Sequence, residues 1–326
     1  MTNPTDPAID PEIQIPDLLR RFPHLRPVFD RYGLRGCGGP LGPAESVAYF
    51  ARAHGVDLDR LLAELRDALE RPHESPFEYH HHSPLDDLAD RIYARFFKAG
   101  ILVVLTAGAV WGAFLLLRIA RAADFAAISI HDINAHGHAQ IFGWVGLFVM
   151  GFAYQAFPRM KHTSLHRPDL ANLSFYLMIA GILARVLGEP LHRWPLMREL
   201  ALAGSLAEIA AISLFITLLL TTFRRSGKPY EIHDRYILAA LAFFFLQALY
   251  ETALLYLTTA APSRADLLRL VATFQAPLRD LQIHGFAMLI ILGVGLRMFP
   301  ALFGLYSPSD RLKRAARPVL VAAVLG

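Results

Sequence analysis

Residues 131–160 read HDINAHGHAQIFGWVGLFVMGFAYQAFPRM, and this stretch decides the fold. It places His131, His136 and His138 at the mouth of the apolar run 139–158, which has about the length that a helix needs to cross a bilayer. His136 and His138 are two positions apart, or roughly 200° around a helix, so their rings point to nearly opposite sides. Ionisable side chains at the end of a membrane helix are candidates for function. One helix can therefore serve two different sites.

The composition indicates a membrane protein. The chain has 326 residues, of which 54% are hydrophobic, and its mean hydropathy is +0.36. The apolar residues come in long blocks, which is typical of a polytopic helical protein. The net charge of +4 reflects Lys and Arg in loops and does not indicate nucleic-acid binding. Cys37 is the single cysteine, which excludes a disulfide framework and a cysteine-ligated iron–sulfur cluster within the chain.

Six apolar blocks of about 20 residues predict six complete membrane spans in an all-α helix bundle. They cover residues 96–118, 136–158, 171–190, 197–223, 236–260 and 279–303. A seventh block begins at Pro318 and reaches only Gly326, so we expect the chain to end inside a truncated seventh helix.

The remaining pattern divides the chain into four parts. We expect a flexible tail at 1–13, a small soluble helical domain at 14–71, a linker with three consecutive histidines at 72–94, and the transmembrane domain at 95–326, incomplete at its C-terminus. Asp57 is the expected N-cap of the last soluble helix.

The loops also predict an orientation. The loops on the same side as the soluble domain contain more Lys and Arg than the loops on the opposite side. The positive-inside rule therefore predicts a multi-pass protein of the bacterial inner membrane with a cytoplasmic N-terminus. His136, His138 and His284, which opens the sixth span, then lie near the outer face.

The histidines suit a metal cofactor. Neutral imidazole is the usual axial ligand of haem iron and also suits copper. We expect His136 and His138 to bind haem b, or haem b and copper, with His284 as the partner on another span. Arg185 is expected either to pair with a haem propionate or to bridge to Glu189.

Two further acids, Glu208 and Glu251, lie within apolar blocks. Each either carries protons or joins helices through hydrogen bonds, and the second role is the favoured interpretation. His131 and His192 are interpreted as loop residues.

The histidine helix has small and aromatic residues at fixed spacings: His136-Gly137-His138, Gly143-Trp144, Gly146, Gly151, Tyr154 and Pro158-Arg159. It resembles the His-x-His helix of the haem-copper oxidase superfamily, in its cbb-type oxidase and nitric oxide reductase branch. There the first His binds the high-spin haem and the second the low-spin haem. The stretch also resembles the early His-x-His helix of the NnrS family, multi-span haem- and copper-containing proteins tied to nitric oxide stress. A later helix of that family carries His followed by a run to Arg, as His284 to Arg297 does here.

A second resemblance concerns the soluble domain. The residues that carry it are Pro27-Val28-Phe29, Arg31-Tyr32-Gly33, Cys37-Gly38-Gly39, Gly55-Val56-Asp57 and Leu61-Leu62. They are similar to the small N-terminal domain of iron–sulfur cluster repair di-iron proteins. Gly36 stands where that family has the first of two adjacent cysteines, so shared thiol chemistry is not implied.

Together these features predict a haem-binding, or haem- and copper-binding, membrane protein of nitric oxide or respiratory redox metabolism. Its partners would be the lipid bilayer, a redox partner or respiratory subunit, and a small gas such as nitric oxide or oxygen. Two alternatives stay open. One is a diverged nitric oxide reductase or terminal oxidase, an oxidoreductase that would need further metal-binding histidines on separate helices. The other is a cofactor-free membrane transporter or scaffold.

Overall fold

The computed structural model describes residues 9–34, 41, 45–71, 84–161, 163–302 and 318. Within these ranges the regular structure is helical, apart from one isolated antiparallel bridge between Gln14 and Ser46. The predicted all-α class is confirmed. Cys37, the histidines at 80–82, and the predicted seventh span except Pro318 lie outside the described residues.

The N-terminal part forms four short helices around a core of its own. They are α1 (Ile15–Arg21), α2 (Arg26–Arg31), α3 (Val47–His54) and α4 (Leu58–Glu70), with a single 3-10 turn, Pro23–Leu25, between the first two. The rings of Phe29 and Phe50 meet edge to face at the centre, 5.5 Å apart. Asp57 accepts a hydrogen bond from the backbone N–H of Arg60 at 2.8 Å, so the predicted N-cap of α4 is confirmed.

Six long helices follow, each apolar and long enough to cross a membrane, as predicted. Three contain a π-helical segment in the middle. The helices are α5 (Pro84–Val103, π-helical Val104–Val110, Trp111–Ala122), α6 (Ile130–His138, π-helical Ala139–Gly146, Leu147–Met160), α7 (Pro168–Gly188), α8 (Pro195–Arg225), α9 (Ile232–Thr259) and α10 (Arg264–Asp280, π-helical Leu281–Met288, Leu289–Leu302).

All six helices begin earlier than the apolar blocks predict, and three of them begin earlier by six residues or more. Helix α5 begins at Pro84, inside the stretch predicted as a linker, and α10 begins at Arg264, where Ser263 caps it through the backbone N–H of Asp266. Helix α6 begins at Ile130. His131 is therefore a helix residue, and its interpretation as a loop residue was wrong. Apolar runs miss these polar helix ends because they lie beyond the hydrophobic stretch.

Helix α6 is the central element of the bundle, since it contacts every other membrane helix. Its N-terminal half meets α10 where Gln275 donates to Asn134 at 3.3 Å, and it meets α9 where the rings of Phe142 and Phe244 lie 5.8 Å apart. Helices α7 and α8 form the most extensive pair. This arrangement brings residues of α7, α8, α9 and α10 around the first turns of α6.

Candidate functional site

A capping box fixes the start of α6 and hence the direction of its histidines. Ser129 accepts a hydrogen bond from the backbone N–H of Asp132, and the Asp132 carboxylate accepts one from the backbone N–H of Ser129. Two turns later, the side chains of His136 and His138 point to opposite sides of α6, as expected. His136 faces α5 and His138 faces α8 and α9.

His138 lies at the centre of the bundle with 1% of its surface exposed. Its Nε2 lies 2.8 Å from Oε1 of Glu208 on α8, and its Nδ1 lies 3.0 Å from Oε1 of Glu251 on α9. A neutral imidazole donates at only one nitrogen, and a carboxylate only accepts. A neutral imidazole could therefore donate to only one of the two glutamates. For both contacts to be hydrogen bonds, the three side chains must hold one additional proton. That proton lies either on the imidazole or on one of the glutamates.

Arg185 extends this network toward the C-terminal end of α7. All three of its guanidinium nitrogens have partners: Nε donates to Glu189 at 2.9 Å, Nη1 to Ser205 Oγ at 2.8 Å and Nη2 to Glu251 at 3.3 Å. Arg185 and Glu189 are buried, with 2% and 0% of their surfaces exposed. Of the two roles expected for Arg185, the structure shows the ion pair with Glu189.

The second arginine of the network comes from α10. Arg279 donates from Nη1 to Gln282 Oε1 at 2.5 Å, and Gln282 donates in turn to Glu251 at 3.0 Å. The guanidinium lies over Gly137, between the two histidines of α6. A Cβ atom at Gly137 would come within 3.2 Å of Arg279 Nη2. The sequence His-Gly-His thus leaves room for a cation from another helix.

A small polar cavity lies beside the two arginines. Its volume of about 10 Å³ is roughly the space that one water molecule requires. It is lined by Asn134, Arg185, Glu189, Glu251, Leu254, Leu255, Gln275, Leu278 and Arg279. Gln275 Oε1 is buried there and has no hydrogen-bond donor among the described residues. A bound water would supply one.

Two histidines lie between the network and the protein surface, near the start of α6. His131 is buried beneath His192, their ring centroids 3.8 Å apart, and its Nδ1 lies 3.4 Å from Glu189 Oε1. His192 lies in the turn after α7, as expected for a loop residue, with Nδ1 3.0 Å from the carbonyl oxygen of Glu189. Partial burial and the charge of His131 lower the pKa of the His192 side chain below its usual value.

His136 has different surroundings from His138. Its Nδ1 lies 3.4 Å from the carbonyl oxygen of Ala107, which belongs to the π-helical segment of α5. Its ring packs on Gly112, where a Cβ atom would come within 2.9 Å of Cε1. If Nδ1 donates to this carbonyl, Nε2 retains its lone pair, which is the tautomer that binds a metal through Nε2.

His284 lies in the π-helical segment of α10, on the exposed side of the helix. Its side chain is 60% exposed, and its Nδ1 lies 3.2 Å from the Asp280 carboxylate. The described contacts do not place it in the network of His138. As in His136, a donor role for Nδ1 leaves Nε2 with a lone pair.

These environments allow a test of whether the predicted ligands suit haem. An axial imidazole needs one nitrogen free for iron and is usually oriented by an acceptor at the other nitrogen. His136 and His284 meet this requirement. His138 does not in this arrangement, because both of its nitrogens face carboxylates. The described residues contain no group of three or more His, Cys, Asp or Glu suited to a metal ion.

Sequence reasoning selected His138, Arg185, Glu189, Glu208 and Glu251. It predicted the bridge from Arg185 to Glu189 as one of two roles, but it did not predict that His138 contacts Glu208 and Glu251 or that Arg185 contacts Glu251. It missed the polar residues that complete the network: Asn134, Ser205, Gln275, Arg279 and Gln282. The sequence signal that could have identified them is a polar residue within or beside an apolar block. Such a residue is costly in a membrane unless it has a partner.

Comparison with known proteins gives one match. No curated protein and no solved structure matches the chain. The family model described as NnrS protein matches residues 93–326, which include the histidine helix and its partners on α7 to α10. The match covers well over half of the chain. The protein therefore belongs to the NnrS family.

Proposed function

We propose that this protein is a haem-binding membrane protein that acts in the response to nitric oxide, with haem b held by His136. Membership of the NnrS family supports the general role. The bound iron would supply a site for a small gas ligand such as nitric oxide. The residues of the chain would orient the ligating imidazole and surround it with apolar helix.

The observation that carries this proposal is the environment of His136. Ala107 offers a backbone carbonyl to Nδ1, and Gly112 allows α5 to lie flat against the ring. The carbonyl belongs to a π-helical segment, a feature that often marks functional sites in membrane and soluble helices. His284 is the second proposed ligand, because the Asp280 carboxylate orients its ring in the same way.

The decisive experiment is an optical spectrum of the purified full chain in detergent. We expect a Soret band that responds to nitric oxide after reduction. His136→Ala should remove or strongly weaken the band, and His284→Ala should change it. His138→Gln tests the opposite face of the same helix and should keep the band, because His138 is bonded to glutamates.

The matched control is His192→Ala, which removes a half-buried imidazole outside the membrane helices. Its spectrum should equal that of the unchanged protein. The proposal fails if the unchanged protein has no Soret band when haem is available during expression. The ligand assignment alone fails if the band survives His136→Ala and is lost in His138→Gln.

A cofactor-free membrane protein is the second candidate, and the charged network favours it. Three glutamates, an arginine and a histidine in direct contact inside a bundle suit a transporter that binds protons. The same spectrum separates the two candidates, since this one predicts no haem. The nitric oxide reductase or oxidase alternative is less well supported, because it needs His138 to face a second haem.

Several finer expectations remain predictions. They are copper as a second metal, a redox partner or respiratory subunit, the bacterial inner membrane as location, and a cytoplasmic N-terminus. The resemblance of residues 14–71 to iron–sulfur repair proteins also remains a prediction, since the family match begins at residue 93.

A further inference from the structure

We propose that Arg279 is the cation that binds a haem propionate in this protein, in place of Arg185. This inference rests on the proposed haem function. It names the residue that would recognise the anionic edge of the cofactor. A haem carboxylate inside or beside a membrane needs a cationic hydrogen-bond donor, and the planar guanidinium of arginine fits a carboxylate with two parallel bonds.

Arg185 is not available for this role. Its three guanidinium nitrogens donate to Glu189, Ser205 and Glu251, and its side chain is buried. Three of its five N–H groups already donate, and its charge already faces two buried carboxylates, Glu189 and Glu251. A propionate would place a third carboxylate beside the same cation, which is unfavourable inside a bundle.

Arg279 has the free capacity that Arg185 lacks. Its one hydrogen bond in the described part of the chain is from Nη1 to the neutral amide of Gln282, and no described carboxylate lies within ion-pair distance of it. Gln282 fixes the guanidinium in place through its own bond to Glu251. The remaining N–H groups stay available for an anion.

The position of Arg279 also suits the proposed ligand. Its Nη2 lies above Gly137, the residue next to His136, at the outer end of α6. Arg118 and Arg198, two other arginines near this end, are already engaged. Arg118 donates to Asp132 and to the carbonyl of Ala127, and Arg198 donates to Thr259. The described structure thus offers one partly buried arginine beside His136 that has no carboxylate within ion-pair distance; Glu251 acts on it only at longer range.

The test compares Arg279→Gln and Arg279→Lys with Arg269→Gln, an exposed arginine of the same helix. Three quantities are measured on each purified full chain: haem per protein, the haem midpoint potential, and the propionate bending band in resonance Raman spectra. Arg279→Gln should lower the midpoint potential, because loss of a nearby positive charge favours ferric iron, and should shift the propionate band. Arg279→Lys should restore much of the potential, and Arg269→Gln should change neither.

The outcomes separate this inference from the proposed function. If the unchanged protein binds haem and Arg279→Gln leaves both the potential and the propionate band unchanged, Arg279 is not the partner and the haem function stands. If the unchanged protein binds no haem, the proposed function falls and takes this inference with it. Loss of haem in Arg279→Gln, with Arg279→Lys and Arg269→Gln loaded, supports the inference. A co-purifying anionic lipid that disappears in Arg279→Gln, with the haem signals unchanged, would assign Arg279 to a lipid phosphate and overturn it.

Discussion

Glu251 is the residue on which most of the buried charges depend. Its Oε1 contacts both His138 and Arg185, and its Oε2 accepts from Gln282. Three side chains, from α6, α7 and α10, therefore share one carboxylate of α9. Buried ion pairs gain little over apolar packing, but removal of one partner leaves a charge without compensation. The network thus fixes how the helices around α6 sit relative to one another.

Arg185→Met tests this at the level of one side chain. Glu189 and Glu251 would lose their cation, so we expect a loss of about 3–5 kcal/mol in stability, as for other broken buried pairs. Thermal unfolding in detergent, followed by size-exclusion fluorescence, measures it. Arg198→Met removes a partly exposed arginine and should cost much less. Equal melting temperatures for the two variants would contradict the network's role, and Glu189→Gln should recover part of the loss in Arg185→Met.

Glu45 gives a prediction for pH. Partial burial raises the pKa of its carboxyl to about 7, above its usual value near 4.5. Below the usual value the group is protonated in both folded and unfolded chains. As the pH rises toward 7 only the unfolded chain ionises, so the folded domain loses stability, and above 7 the loss is constant. Glu45→Gln should therefore stabilise the N-terminal helical domain at pH 8 and have little effect at pH 4. Thermal melts of residues 1–71 at both pH values measure the difference, and an equal effect at both would refute it.

Helices α7 and α8 approach each other through glycine. A Cβ atom at Gly181 would come within 2.7 Å of the carbonyl oxygen of Gly204 and within 2.5 Å of Cγ of Glu208. Glu208 is the partner of His138 Nε2, so this contact sets both the helix spacing and the position of a network carboxylate.

Gly181→Ala should accordingly push the two helices apart. Overpacking of this kind costs about 1–3 kcal/mol, and the shift of Glu208 adds to it. Ala203→Val is the control, because it adds volume on the exposed side of α8 near the same level. Melting temperatures in detergent decide the matter. If Ala203→Val destabilises the protein as much as Gly181→Ala does, the close approach is not important.

Elements were easier to predict than contacts. Apolar blocks located all six spans, because a membrane helix must be long and apolar. The helix starts at Ile130 and Arg264 were missed, although Ser129 and Ser263 are each followed three residues later by Asp, a readable capping signal. The opposition of His136 and His138 was predicted correctly, since it depends only on helix geometry.

At the scale of the whole molecule, the contacts within the charged network could not be predicted from the sequence. His138 is 70 residues from Glu208 and 113 from Glu251, and no local pattern relates them. Their contact depends on how α8 and α9 pack around α6. From a single sequence one can infer that buried polar residues need partners, but not which residues those partners are.

The N-terminal helical domain, α1 to α4, contacts the membrane bundle through α3 and α10. A Cβ atom at Gly55, which follows α3 with a φ of +63°, would lie 3.9 Å from Arg297 Nη2 on α10. The carboxyl end of a helix carries a partial negative charge, which a nearby cation stabilises by roughly 0.3–1 kcal/mol. Arg297→Glu reverses this interaction and should loosen the end of α3.

Hydrogen exchange of the full chain, followed by mass spectrometry, measures this effect. The backbone N–H groups of Gly55 and Val56 donate to carbonyls of α3, so their peptides report directly on its last turn. We expect faster exchange there in Arg297→Glu, with the core of α4 unchanged. Arg235→Glu makes the same charge change at an exposed site on α9 and should leave α3 protected. Equal exchange at Gly55 and Val56 in both variants would mean that Arg297 does not hold the N-terminal helical domain against the bundle.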